Sequence, residues 1–410
     1  MSGIPKIKEV GCLSVNSYGS SVFKCTFEGV STPYCVKVVF TSEKPQEIEI
    51  ECNGRKKEVT TLYQVVKEAK SQESMYRTIH ERLGDSVKIV PNVVSTHHLT
   101  PYEFNQLFIG SIKIDAAAGV WIESIHTTSI SNNFGLTILV MEYLDGFVAF
   151  DPDQHMGILH YIHAYILALF IITSGMSLDM HPLNILIQSI YVRIIDFGKV
   201  VFFNNESDIT DIKVRFRELV EFYKKDRNKL IELYSCFCTE QPQGKTNEEL
   251  AKNLITNFET YCNSVRNLHH SWMETPQQDK LVKIFDLLTF ISFVDSIYKY
   301  KASATMQFGE LIKLLFGDGD GDGDGDDLTY IIKLRSKINN VMSLRKNLMS
   351  NTNLLNIVEI LDSILSSKKP VEVDGGKKRY SINKRRKHPR KKRTKQTYKK
   401  RKFKTSRRKH

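Results

Sequence analysis

Leu178-Asp179-Met180-His181-Pro182-Leu183-Asn184-Ile185-Leu186-Ile187, followed by Tyr-Val-Arg-Ile-Ile-Asp-Phe-Gly at 191–198, is the stretch whose reading decides the fold. Asp179 is followed by Asn184 five residues on and by Asp196 twelve beyond that, each set among apolar residues that would pin its backbone. The spacing suits phosphoryl transfer, in which one carboxylate orients the attacking hydroxyl and takes its proton while an amide oxygen and a second carboxylate hold Mg2+ against a triphosphate. Ile185–Ile187 and Tyr191–Ile195 read as two short buried strands joined by a turn, which brings Asn184 and Asp196 together.

These residues resemble the protein-kinase-like superfamily, whose catalytic loop reads DxxxxN and whose metal-binding turn reads DFG. By that resemblance Asp179 matches the catalytic base, Asn184 the metal-binding Asn, and Asp196-Phe197-Gly198 the DFG turn. Ser177 and Leu178 stand where most eukaryotic protein kinases have His and Arg, and His181 stands where they have Lys. In these departures the loop is more similar to aminoglycoside and choline phosphotransferases and to atypical viral kinases. The resemblance implies an α+β, two-lobed fold: a small antiparallel sheet with one helix over a larger, mostly helical lobe. It also implies ATP and Mg2+ as cofactors.

The chain of 410 residues is long enough for two or three lobes or domains. Its net charge of +12 is misplaced as a guide to the body, because residues 377–410 hold 20 Lys or Arg and no acid, leaving 38 basic against 46 acidic residues elsewhere, a net of −8. Charge that seeks a partner is thus concentrated in the tail. Seven cysteines without framework spacing, and an N-terminus without a cleavable apolar run, point to a reducing, intracellular setting. Cys236 and Cys238 form a CxC pair with no matching pair nearby and read as buried thiols rather than a zinc site. Ile158–Thr173 is apolar but short for a span and contains His160 and His163, so a buried helix beneath the catalytic loop is expected and no membrane span.

In chain order, Lys8–Val15, Ser21–Glu28 and Tyr34–Phe40 read as strands. The segment between the first two keeps one glycine, Gly19, of the family's phosphate-covering loop; Gly19 and Val22 are the residues expected against the nucleotide. Tyr34-Cys35-Val36-Lys37 resembles the VAIK strand, which gives Lys37 the α- and β-phosphates. Residues 41–53 read as an acid-rich insertion and Gly54–Leu83 as a helix ending at Gly84. One Glu of that helix should pair with Lys37. Glu73 is the expected one, since it shares a face with Tyr76 and Ile79–His80, with Glu58 and Glu68 as alternatives. Lys88–Val94 is strand-like, and 95–135 reads as polar, loop-like sequence around Trp121. Leu136–Tyr143 reads as a buried strand, and Val140–Gly146 resembles the hinge between lobes, with Met141 behind the adenine and the backbones of Glu142 and Leu144 at its edge.

After Gly198 no Ala-Pro-Glu closing motif follows, and Leu178 cannot supply the Arg that reads an activating phosphate. Residues 209–225 and most of 226–315 read as amphipathic helices, broken at 241–246, where Gly-Lys-Thr lacks the rest of a P-loop. The expected organisation is a small lobe at 1–144, a helical lobe at 145–316, a self-repelling Gly-Asp linker at 317–327, a helical extension at 328–370 and a disordered basic tail at 371–410. Such a tail seeks nucleic acid, other polyanions or a nuclear import receptor, and its composition is similar to tails of giant DNA-virus proteins, which points to a nucleus, a virus factory or a virion. The expected activity is transfer of the ATP γ-phosphoryl to a hydroxyl by an atypical serine/threonine protein kinase. The rival readings are a small-molecule kinase of the aminoglycoside or choline type, and a catalytically dead scaffold that binds polyanions through its tail.

Overall fold

Alternation of buried and half-buried residues along Ser21–Phe27 (β2) is that of a strand with one face on a core, and its neighbours Ile7–Ser14 (β1) and Tyr34–Ser42 (β3) pair with it antiparallel. The computed structural model describes residues 5–14, 20–44, 48–109, 111, 113–238, 240–265, 268–299, 329, 331–333 and 350–366. The strand β3 is central. Along its other edge runs Gly135–Glu142 (β8), which in turn pairs with Val93–Leu99 (β6). On the first edge β2 covers Tyr34–Val38 only. Phe40–Ser42 instead pair in parallel with Val59–Thr61 of Arg55–Thr61 (β5), whose hairpin partner is Ile48–Cys52 (β4).

This hairpin corrects the expected helix over 54–83. Asn53 and Gly54, both at positive φ, make the two-residue turn that an Asn-Gly pair favours between strands. The helix, Leu62–Leu83 (α1), starts only at Thr61, whose side chain caps Gln64 N–H while the Gln64 side chain returns to the Thr61 N–H. Two more expectations need correction. The strand expected at 88–94 begins at Val93 and runs to Leu99, and 95–135 is ordered rather than loop-like. It holds the helices Pro101–Ile109 (α2) and Ala116–Asn132 (α3), with a two-residue strand, Lys113–Ile114 (β7), beside β1. In α3 the buried residues Ala118, Trp121, Ile122, Ile125 and Ser129 follow helical period, so its Ser and Thr content masked a core-facing stripe.

The second lobe is built around Leu159–Thr173 (α5, after the single turn Pro152–His155, α4), in which every residue from Tyr161 to Thr173 is buried. Pro152–Thr173 is long and apolar enough to cross a membrane, but most of it lies inside protein. Glu206–Tyr223 (α6), Arg227–Phe237 (α7) and Asn247–Val265 (α8) pack on one another, while Leu268–Glu274 (α9) and Gln277–Lys299 (α10) pack on α5, with α6 also against α10. The extension returns to this lobe: Thr352–Leu365 (α11) packs on α5 and α10. Its Asp362 accepts from Trp272 Nε1 at 2.9 Å and from Lys280 Nζ at 2.8 and 3.0 Å. Asp362→Ala leaves two largely buried donors unpaired and should cost about 2 kcal/mol, read as a lower urea midpoint at unchanged m-value. The linker at 317–327 and the tail at 371–410 lie outside the described residues. This α+β arrangement, a sheet-based lobe with one long helix over a larger helical lobe, is the two-lobed kinase-like fold that the motifs implied.

Candidate active site

Lys37 stands on β3 between Val36 and Val38, which turn to the opposite, buried face. Its ammonium lies 2.6 Å from Glu68 Oε1 on α1 and 3.3 Å from Asp196 Oδ1. With side chains 13% and 10% exposed, Lys37 and Glu68 form the closed end of this chain, whereas Asp196 at 40% is the member open to solvent. Burial opposes every charge here. For Lys37 the two carboxylates outweigh it and raise the pKa; for Glu68 burial prevails over the pull of Lys37, and the carboxyl sits above its ordinary range. Burial likewise works against the Asp196 carboxylate, but Lys37, the Gly198 N–H and the nearby His181 hold its pKa below the usual value.

The pairing of Lys37 with Glu68 replaces the expected pairing with Glu73. Glu73 is exposed, on the face where Tyr76 and His80 stack on each other. The buried stripe of α1 is Val65, Glu68, Ala69, Gln72, Met75, Ile79 and Leu83. On it Gln72 Nε2 donates to the Pro91 carbonyl at 2.9 Å and approaches Met141 Sδ at 3.6 Å. One helical face thus positions both the Lys37 partner and the residue at the back of the expected adenine pocket.

The catalytic loop leaves α5 through Gly175–Ser177 (β10), which pairs with Val200–Phe202 (β13). Leu178 N–H then donates to the Lys199 carbonyl at 2.7 Å. Next, Pro182–Asn184 forms one 3-10 turn, and Asn184 enters the hairpin of Ile185–Gln188 (β11) with Tyr191–Ile194 (β12). A short strand, Val148–Ala149 (β9), lies on the other edge of β11. Because Ile185 pairs with Ile194, the Asn184 carbonyl accepts from the Ile195 N–H at 3.0 Å, which sets Asn184 beside the residue before Asp196. Asn184 is buried, and its Nδ2 donates to the Asp179 carbonyl at 2.9 Å. Its Oδ1 is the acceptor that remains for a cation. Asp196 has φ +63, a left-handed conformation that Asp tolerates better than most residues, and Phe197 beyond it is buried in the core of the helical lobe. The turn and hairpin therefore set Asn184 between the Asp179 carbonyl, which its side chain binds, and the backbone beside Asp196, whose carboxylate reaches Lys37.

His181, which had no assigned role, presents Nδ1 as acceptor to the Leu183 N–H at 3.2 Å. At the hinge, the Glu142 N–H donates to the Asn92 carbonyl at 2.9 Å and its carboxylate lies 3.5 Å from Lys88 Nζ. The Glu142 N–H is therefore already paired within the protein, which removes it as a donor to the purine edge expected at the hinge. Val22 is the cross-strand partner of Lys37 and shares its face; Gly19 lies outside the described residues. Among the described residues no cluster of three or more His, Cys, Asp or Glu could hold a metal alone. An Asn–Asp pair suits Mg2+ completed by phosphates and water.

The chain matches no family model and no curated protein. Among solved structures it is similar to a Neurospora crassa PAN3 pseudokinase mutant, at 10% identity over 87% of this chain and 70% of that one, with a TM-score of 0.27.

Proposed function

We propose that the chain is an ATP- and Mg2+-dependent phosphotransferase that acts on a hydroxyl, most simply that of a protein serine or threonine. The observation that carries this reading is the continuous chain Glu68–Lys37–Asp196 at 2.6 and 3.3 Å. A buried ammonium shared between two carboxylates from different lobes is placed to receive the charge of a triphosphate. Lys37, held by Glu68, would steady the α- and β-phosphates, and Asp179 would orient the acceptor hydroxyl and take its proton. Asn184 Oδ1 and the Asp196 carboxylate would hold Mg2+, which when bound neutralises charge on the phosphates. Leu144 and Met141 would bound the purine. Asn184→Ala should raise the magnesium concentration for half-maximal turnover about tenfold or more, measured by ATP consumption during metal titration.

A second reading, a small-molecule acceptor, is favoured by the short connection between Gly198 and α6. Only residues 199–205 intervene, and three of them are β13, which leaves little backbone as a platform for an acceptor peptide. Label from γ-labelled ATP entering a protein extract supports the first reading, and label entering only a metabolite pool supports the second. No label in either, with ATP bound, supports the scaffold. The tail at 377–410 is proposed to bind nucleic acid or another polyanion inside the cell; salt-dependent binding that survives its deletion defeats that proposal.

A further inference from the structure

The β4–β5 hairpin and α3 form a layer beside β3 that none of the chemistry above employs. Inside it lies Lys57, only 1% exposed. Lysine is almost never buried to this degree without a partner. Its Nζ donates to the Ser20 carbonyl at 2.9 Å and stands 5.5 Å from the centroid of the Trp121 ring on α3. Burial lowers its pKa to about 8, so the ammonium is kept in a place that disfavours it.

The position of Ser20 gives this tie its meaning. Ser20, itself buried, is the residue before β2, and the next two pair across to β3 as Ser21 with Val38 and Val22 with Lys37. Since β2 and β5 share one edge of β3 end to end, Lys57 reaches from the start of β5 to the point where the chain enters β2. An unbroken route therefore runs from Trp121 through Lys57 and Ser20 to the strand opposite Lys37. A hydrophobic residue at 57 would fill the same space; only a long cationic stem both fills it and grips a carbonyl.

We propose that Lys57 is a positioning residue for the nucleotide phosphates, holding Ser20 so that the start of β2 stays in register with the Lys37 ammonium. The proposal deepens the ATP reading and rests on it. It makes the inserted hairpin and α3 part of the phosphate-binding apparatus rather than an appended layer.

The test compares the full chain with its Lys57→Met variant, which keeps the stem and volume and removes the ammonium. The affinity for ATP and ADP should fall about tenfold while that for adenosine stays within about twofold, since only the phosphates sense the tie. Amide hydrogen exchange at 20–22 should also quicken in nucleotide-free protein. Equal losses for ATP and adenosine, or unchanged ATP affinity, overturn the proposal, as does unchanged exchange. If the parent binds no ATP, the ATP reading fails and takes the proposal with it, which parent titration alone reveals. Should Lys57→Met not fold, Trp121→Phe is compared in the same way: a smaller shift in the ATP-to-adenosine ratio, in the same direction, supports the proposal, and an unchanged ratio defeats it.

Discussion

Asp196→Asn should reduce phosphoryl transfer by about 10³-fold or more while leaving the far-UV circular dichroism and the unfolding midpoint close to those of the parent. The substitution is chosen because Asn is nearly isosteric and tolerates the φ of +63 that position 196 adopts, so the turn before buried Phe197 need not change. The amide oxygen can still accept from the Gly198 N–H, 3.4 Å from Oδ1 in the parent. Lys37 keeps Glu68 at 2.6 Å and is not stranded as a buried charge. What disappears is the negative charge open to the cleft, the charge that would hold the metal. Catalysis by positioning and charge neutralisation depends on that term far more than the fold does, which loses only the stability that the lowered Asp196 pKa reports. Turnover of labelled ATP equal to the parent's removes Asp196 from the metal site.

The contrast between intact fold and lost chemistry mirrors what the sequence made legible. Asn184 and Asp196 could be placed near each other before any coordinates, because β11 and β12 are short and joined by two residues, so register alone puts Asn184 against Ile195. The buried helix α5 was equally plain, since an apolar run that is short for a span and carries His160 and His163 belongs in a protein core. The β4–β5 hairpin is hard to read although Asn53-Gly54 marks it, because the charged residues of 48–52 alternate weakly and 55–61 lie directly against the helical signal of α1. The stretch 95–135 was missed because β-branched and hydroxyl residues lower helix propensity, and propensity lost to the Trp121 stripe. The return of α11 to the helical lobe brings Asp362 to Trp272 and Lys280 some eighty to ninety residues away, a contact that no local pattern announces.

Glu68→Gln should lower kcat/KM about 100-fold, whereas Glu73→Gln should leave it within about twofold of the parent. The two residues lie five apart on one helix, yet only Glu68 falls on the stripe with Val65, Gln72, Met75 and Ile79. Glu73 shares a face with Tyr76 and Ile79–His80, but the stronger signal is an acid in line with the buried apolar residues, where burial without a partner would be prohibitive. Removing the Glu68 charge leaves Lys37 only Asp196, 3.3 Å away, so the carboxylate meant for magnesium becomes the sole counter-ion. A raised magnesium requirement should therefore accompany the fall in kcat/KM. The pH dependence follows in sign. Burial holds the Glu68 carboxyl above its ordinary range while Asp196 lies below its own, so acidification neutralises Glu68 first. Parent kcat/KM should fall as pH drops through the Glu68 value, and the Gln variant, already neutral there, should lack that limb. For stability the sign is opposite: the folded state binds the Glu68 proton more tightly than the unfolded one, so its ionisation subtracts stability as pH rises through that window, and the variant's stability curve should be flatter there. Equal activity of Glu68→Gln and Glu73→Gln, or an acid limb unchanged in the former, would dissolve the link between α1 and Lys37.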